Sequence, residues 1–496
     1  MSLKLFFILF LSLWCHTFVA SISQYPIVII ISYDGFRHDL IEKGVTPTIS
    51  KLRSEGTHAE YMNNVFITKT FPNHHSIATG LYPEVHGVLG NSVYDPKYGK
   101  SFSYSYELFH YTEDILPIWV ANQKKGNGRH SGIMMWPGNE FNYTGVFPTY
   151  QKAFDRDFAY TKRVDEVLKW ILNPEKPANL VVLYIEEPDV SEHNYGPDSE
   201  TNLKILKQMD DTTTYLMKRL NETGLTDRVN LFFLSDHGML TVKKRNIIDL
   251  RKIVPTEKYD RYEGSPTYMI FPKKGEANFV YNSLKNASEN GAPFKVYKRN
   301  EIPDRWHYKD NRRAPPILAV ADPPYVFEDA YKQIEWIEKL RNITFGEDTP
   351  MGFHGYDNTV MSMKPYFFAL GPLIKKNHKI KPFETVDLFS LWANILGFPE
   401  YAAKTNGSFD RVSDMLVPKY SPSDAGNICG ALLGILLIGI ALGISIFFIQ
   451  NKMRIQDKIF NRRLKEENLE SRQRLLDHVE TDEDVSMSLF PELYKA

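Results

Sequence analysis

Cysteine is nearly absent from this chain. Of 496 residues only two are cysteine, Cys15 and Cys429, and each lies in an apolar run towards one end. Everything between them is therefore without a disulfide framework and without a thiolate for a metal. A stretch of about 400 residues buries enough surface to fold unstapled. An excess of one charge is also missing: 59 Lys and Arg stand against 60 Asp and Glu. That balance argues against general nucleic-acid binding, which needs a basic surplus, and no specific nucleic-acid partner is expected. Internal repeats are lacking, and long apolar runs are confined to the two ends.

Those runs suggest a topology. Lys4 precedes Leu5 to Leu11, and small residues follow at Ala20, Ser21 and Ser23, the pattern of a cleaved signal peptide over residues 1–20. The second run, Ile428 to Ile449, carries no charge and is long enough to cross a bilayer. Lys452, Arg454 and Lys458 follow it, which puts residues 450–496 on the cytoplasmic side. The expectation is a single-pass type I plasma-membrane protein. Residues 21–408 would form an extracellular domain and residues 409–427 a stalk. Five sequons, at Asn142, Asn221, Asn286, Asn342 and Asn406, all fall in the external part and are candidate glycosylation sites.

Within that part, apolar runs alternate with helical periodicity. Pro26 to Asp34, Leu180 to Ile185 and Val229 to Leu234 read as strands buried on both faces. Residues 47–56, 164–172 and 201–220 have helix spacing. Such alternation implies βαβ units and a mostly parallel sheet flanked by helices. Residues 240–350, rich in Lys, Tyr and Pro, form a smaller inserted region or long loops. Each of the three strand runs is followed by a carboxylate: Asp34, Asp189 and Asp236. In open α/β sheets the ligand crevice lies beyond the carboxyl ends of the strands.

A metal site needs several oxygen and nitrogen ligands. The candidates are Asp34, Asp189, His193, Asp236, His237 and His354. Asp189 and His193 are four apart and share a face on a helical turn. Imidazole plus carboxylate suits zinc, and six ligands exceed the usual four of one centre, so two metals fit better. Two metals suggest in-line displacement at phosphorus. Thr70, in Thr68-Lys69-Thr70-Phe71-Pro72-Asn73-His74, stands at the expected start of a helix. A metal and a helix N-terminus would both favour its alkoxide. The same Thr could instead cap the helix.

Five segments then occur in order: Ser32-Tyr33-Asp34-Gly35-Phe36-Arg37, the Thr70 stretch, Glu186-Glu187-Pro188-Asp189 with His193, Ser235-Asp236-His237-Gly238-Met239, and His354-Gly355-Tyr356-Asp357-Asn358. Together they resemble the ectonucleotide pyrophosphatase/phosphodiesterase family of the alkaline phosphatase superfamily, in particular its short type I transmembrane members. The resemblance implies an alkaline-phosphatase-like α/β fold and two Zn2+. Asp189, His193 and His354 would hold one zinc. Asp34, Asp236, His237 and the Thr70 hydroxyl would hold the other. Thr70 would form a covalent nucleotidyl-threonine, Asn91 would bond a non-bridging phosphate oxygen, and Phe71 and Phe154 would sandwich the base.

Two departures from the family pattern carry weight. Relatives usually have ectodomain disulfides, which this chain cannot form. Ser92 stands after Asn91, where members acting on nucleoside triphosphates can have Lys. That tilts the expected substrate towards extracellular dinucleoside polyphosphates or NAD-like pyrophosphates. The alternatives are a phosphocholine-lipid phosphodiesterase with the same machinery and a catalytically idle adhesion or receptor ectodomain.

Overall fold

The computed structural model describes residues 22–418 and 422–486. The expected signal peptide lies outside the described residues. The chain forms two units, one through Val417 and one from Pro418 onwards.

The first unit is built on an eight-stranded sheet. In chain order its strands are β1 (Ile27–Tyr33), β2 (Thr57–Ala59), β3 (Ser131–Met134), β4 (Tyr150–Lys152), β5 (Leu180–Ile185), β6 (Val229–Leu234), β7 (Phe367–Leu370) and β8 (His378–Ile380). In space they run β8-β2-β7-β6-β1-β5-β3-β4. Only β7 runs antiparallel to its neighbours; every other pair is parallel. The three strands expected from their apolar runs are adjacent at the centre. Every residue of β1, β5 and β6 is buried, as continuous apolar composition requires of strands covered on both faces. Their registers align Tyr33 with Ile185 and Ser32 with Leu234. All three therefore end at one level, and the acids that follow emerge side by side.

The expected helices are present at Pro47–Glu55, Tyr160–Ile171 and Glu200–Glu222. The last is capped by Ser199, whose Oγ accepts the Asn202 N–H at 3.1 Å. The region that resisted division in the sequence contains a second sheet. Its four antiparallel strands lie in the order Tyr259–Tyr262, Thr267–Pro272, Ile317–Ala321, Phe294–Lys298. With the helix Ala277–Glu289 it encloses an apolar cluster of its own, including Tyr268, Ile270, Val280, Leu284 and Phe327.

Packing continues past residue 409, where the stalk was expected to begin. Val412 and Met415 are buried, and Asp414 pairs with Lys375 at 2.6 Å and His378 at 2.8 Å. Among the described residues the second unit contains one helix, Pro422–Ser486. From Ile435 to Ile449 its large apolar side chains are exposed, and it is long and apolar enough to cross a membrane. Of the five sequon asparagines, Asn221, Asn286, Asn342 and Asn406 are exposed, while Asn142 is half-buried.

Candidate active site

Two groups of potential metal ligands converge at the carboxyl ends of β1, β5 and β6: Asp189, His193 and His354, and Asp34, Asp236 and His237. Asp34 follows β1 directly, and its backbone oxygen accepts the Asp189 N–H at 3.0 Å. That tight approach depends on Gly35, at φ +74°: a Cβ there would sit 2.9 Å from Asp189 Cβ. Asp189 opens the short helix α1 (Asp189–Tyr195), so His193 projects from the same face one turn later. His354 arrives from the strand Pro350–Phe353. Gly352 of that strand lets the backbones close, since a Cβ there would meet the Glu192 oxygen at 2.4 Å.

In the first group His193 Nε2 lies 3.4 Å and His354 Nε2 3.6 Å from Asp189 Oδ1. In the second, His237 Nε2 lies 3.0 Å from Asp236 Oδ2 and 3.5 Å from Asp34 Oδ1. The His237 and His354 rings stack at 3.6 Å between centroids, so the groups adjoin.

The three imidazoles are oriented alike. Nδ1 donates to a backbone carbonyl in each: His193 to Gly352 at 2.9 Å, His354 to Thr68 at 2.8 Å, His237 to Gly238 at 3.0 Å. That fixes the tautomer and leaves each Nε2 lone pair facing inwards. His193 and His354 consequently bring two lone pairs within 3.1 Å of each other. Asp34 Oδ1, Asp189 Oδ1 and Asp236 Oδ2 are buried with no hydrogen-bond partner. Converging carboxylates and bare imidazole nitrogens repel one another unless a cation lies among them. This donor set fits metal ions, with ligand types suited to zinc.

Electrostatics agree. Burial, reinforced by the Asp236 and Asp189 carboxylates, pushes the Asp34 carboxyl well above its ordinary value. Burial also pulls Asp236 upwards, but His237 and His74 outweigh it and hold that carboxyl low. Burial drives His354 well down, helped by His237, Lys69 and His193.

Thr70 is the first residue of helix α2 (Thr70–Thr79). The capping alternative fails, because Lys69 occupies the N-cap position. The Thr70 hydroxyl instead lies 3.3 Å from His237 Nε2, beside the second group. Asn91 Oδ1 accepts the Phe71 N–H at 2.9 Å, which turns its Nδ2 donors away from that bond. Phe71 packs on Tyr104 and Phe109 at 5.4 and 5.8 Å between ring centroids. Phe154 is 46% exposed, its ring 6.3 Å from that of Tyr184.

Several supporting residues escaped sequence reasoning. Tyr184 donates its hydroxyl to Asp34 Oδ2 at 2.5 Å, and Gly35 N–H bonds Asp236 Oδ1 at 3.2 Å. Gln333 donates to the His193 carbonyl at 2.9 Å. Buried Lys69 donates to the Ser265 carbonyl at 2.7 Å. Glu263, from the inserted sheet, accepts the Ser92 N–H at 2.9 Å and so steadies the loop bearing Asn91. A carboxylate therefore stands beside Ser92, at the position where the sequence already lacked a cation.

A family model described as type I phosphodiesterase/nucleotide pyrophosphatase matches residues 28–357. The chain belongs to this family. It is a hydrolase of the nucleotide pyrophosphatase/phosphodiesterase class. It is 36% identical over 392 residues to human ectonucleotide pyrophosphatase/phosphodiesterase family member 5, covering 78% of each chain. It is 33% identical over 453 residues to human bis(5'-adenosyl)-triphosphatase ENPP4, covering 90% of this chain and 94% of that one. The solved structure of murine ectonucleotide pyrophosphatase/phosphodiesterase 5, in an inactive Thr-to-Ala form in complex with AMP, matches with a TM-score of 0.71 at 36% identity. That match covers 79% of this chain and all of the other. The expected alkaline-phosphatase-like α/β fold, with its mostly parallel sheet, is the fold observed.

Proposed function

We propose that this hydrolase cleaves extracellular dinucleoside polyphosphates or NAD-like pyrophosphates through a covalent nucleotidyl-threonine at Thr70. The observation that carries the reading is the Thr70 hydroxyl at a helix N-terminus, 3.3 Å from His237 Nε2 and beside two sets of inward-facing ligands. Two zinc ions, one held by Asp189, His193 and His354 and the other by Asp34, Asp236, His237 and Thr70, would supply Lewis acidity to the phosphoryl oxygens.

The chain's own residues do the rest. The free N–H groups and dipole at the start of α2 favour the Thr70 alkoxide. Its oxygen bonds to the α-phosphorus, and the P–O bond to the leaving nucleotide breaks, the electron pair departing with that nucleotide. Asn91 Nδ2 donates to a non-bridging oxygen, where charge builds in the transition state. Water then attacks the same phosphorus, and Thr70 leaves and regains its proton. Phe71 and Phe154 present faces on which a base stacks, a contact tolerant of base identity. The Ser92 position with Glu263 beside it disfavours additional terminal phosphates. The bis(5'-adenosyl)-triphosphatase name of one set of relatives and the AMP complex of another support a nucleotide substrate.

In this proposal residues 1–20 are a cleaved leader and the extracellular catalytic part begins at residue 21. Residues 428–449 span the plasma membrane once, with the tail from residue 450 in the cytoplasm. The five sequon asparagines carry glycans.

Thr70→Ala in the full-length chain tests the reading. Turnover of diadenosine triphosphate should vanish while bound zinc stays nearly intact, whereas Asp189→Ala should lower both. Retained turnover in Thr70→Ala would refute the covalent route. Preference for a nitrophenyl phosphocholine over a nitrophenyl nucleotide ester would favour the lipid alternative. Bound zinc without turnover of any diester would favour an idle ectodomain.

A further inference from the structure

In-line displacement places the leaving oxygen opposite the attacking one. Thr70 lies against His237, in the second ligand group. The leaving nucleotide therefore departs on the side of Asp189, His193 and His354. Two cavities open there. The smaller, about 230 Å3, is lined by Lys69, Asn91, His193, His354 and Gln333 among others. The larger, about 610 Å3, is lined by Arg156, Asp189, Val190, Tyr195, Gln333, Trp336 and Leu340. His193 and Gln333 line both, so the two share a wall at the metal ligands. The larger volume falls in the range of small-molecule pockets.

One wall of this groove is helix α3 (Ala330–Arg341). Trp336 and Leu340, one turn apart on one face, are 59% and 48% exposed. Among the described residues the Trp336 indole has no ring partner and Arg156 has no ion pair. The helix is tied to the ligand helix α1 by Gln333, which bonds the His193 carbonyl at 2.9 Å. Arg341 lies over the Tyr195 ring at 5.0 Å from its centroid. The exposed indole thus stands on a braced element. Arg156 lines the same cavity from the loop between Lys152 and Tyr160, which also carries Phe154.

We infer that this groove is a second nucleotide subsite, which receives the leaving half of a dinucleotide: Trp336 stacks its base or pyridine ring and Arg156 pairs with its phosphate. The inference rests on the proposed Thr70 chemistry, which sets the side of departure. Charge and shape both match, an apolar aromatic wall and an unpaired cation facing a planar ring on a phosphate chain. It would make the protein selective for substrates whose leaving group is itself a nucleotide, with a base and a phosphate for Trp336 and Arg156 to hold together.

The test compares kcat/KM of the full-length chain on diadenosine triphosphate and on the nitrophenyl ester of AMP, whose leaving group is small. Trp336→Ala should lose about tenfold on the dinucleotide, as removal of one stacking partner does. It should stay within about twofold of wild type on the ester, the change expected when no stack is lost. Trp336→Phe should recover most of the loss, and Arg156→Ala should weaken the dinucleotide alone. Equal losses on both substrates, or an unchanged dinucleotide rate in Trp336→Ala, would overturn the subsite. A wild-type chain that cleaves neither substrate would overturn the Thr70 reading and this subsite together. Cleavage of the ester with no selective effect of Trp336 or Arg156 would remove the subsite alone.

Discussion

Replacing Tyr184 by Phe removes one oxygen atom and isolates one bond. The Tyr184 hydroxyl donates to Asp34 Oδ2 at 2.5 Å, in a buried setting where both groups are shielded from water. A short hydrogen bond to a carboxylate is worth about 1.5–3 kcal/mol, roughly a 10- to 100-fold change in an equilibrium. Asp34 belongs to the ligand group beside Thr70, so the loss should appear in metal binding. Loss of such a supporting bond to a metal ligand typically costs about 10- to 100-fold in affinity. Competition titration of zinc against a chelator should therefore show one of two sites weakened by that factor. The site containing Asp189, His193 and His354 should be unchanged, since Tyr184 bonds none of them. The ring is conserved in Tyr184→Phe, so its edge contact with His74, 5.2 Å between centroids, should persist. Wild-type affinity at both sites would refute the reasoning, as would equal weakening of both.

Other consequences are open to measurement. Phe154→Ala should raise KM for nucleotide substrates about tenfold by removing one stacking face, with kcat little changed; steady-state kinetics decides, and an unchanged KM would place the base elsewhere. Asp95 is buried between Arg312 and Arg313, at 2.9 and 2.8 Å. Burial pulls its carboxyl upwards, but the hydrogen bonds from both guanidinium groups prevail and bring it down to about 2. A depressed folded value stabilises the protein above the unfolded carboxyl's range, and that contribution is lost as pH falls from about 4 through about 2. It amounts to about 2 kcal/mol, so the stability gap between wild type and Asp95→Asn in denaturant titrations should narrow by that much between pH 6 and pH 2. A gap independent of pH would contradict this.

The sequence disclosed the site through an accident of burial. β1, β5 and β6 are covered on both faces, so they appear as largely apolar runs broken only by Ser32 and Asn230, and each run hands over to an acid. Because these strands are also adjacent and in parallel register, what was legible as three separate strand ends is one locus in space. The inserted sheet offered no such signal. Phe294–Lys298 alternates buried and exposed residues, and its Lys and Tyr content looks like loop until its partner Ile317–Ala321 is known. The supporting residues were hidden for a related reason. Tyr184 sits inside an apolar run, and its hydroxyl acquires a purpose only through the register that sets it beside Ser32, two residues before Asp34. Lys69 and Glu263 act on partners across long sequence separations, Ser265 and Ser92, that no local pattern connects. Thr70 was ambiguous between cap and nucleophile because both begin a helix; one residue of offset, with Lys69 as the cap, separates them.

The central claim is that Thr70 carries the nucleotide between the two halves of the reaction. Acid quenching of the full-length chain during turnover of diadenosine triphosphate, followed by peptide mass analysis, tests it directly. The account predicts an adenylyl adduct on the peptide containing Thr70, present during turnover and absent in Thr70→Ala. Turnover at the full rate with that peptide unmodified at every quench time, or an adduct on a different residue, would contradict it.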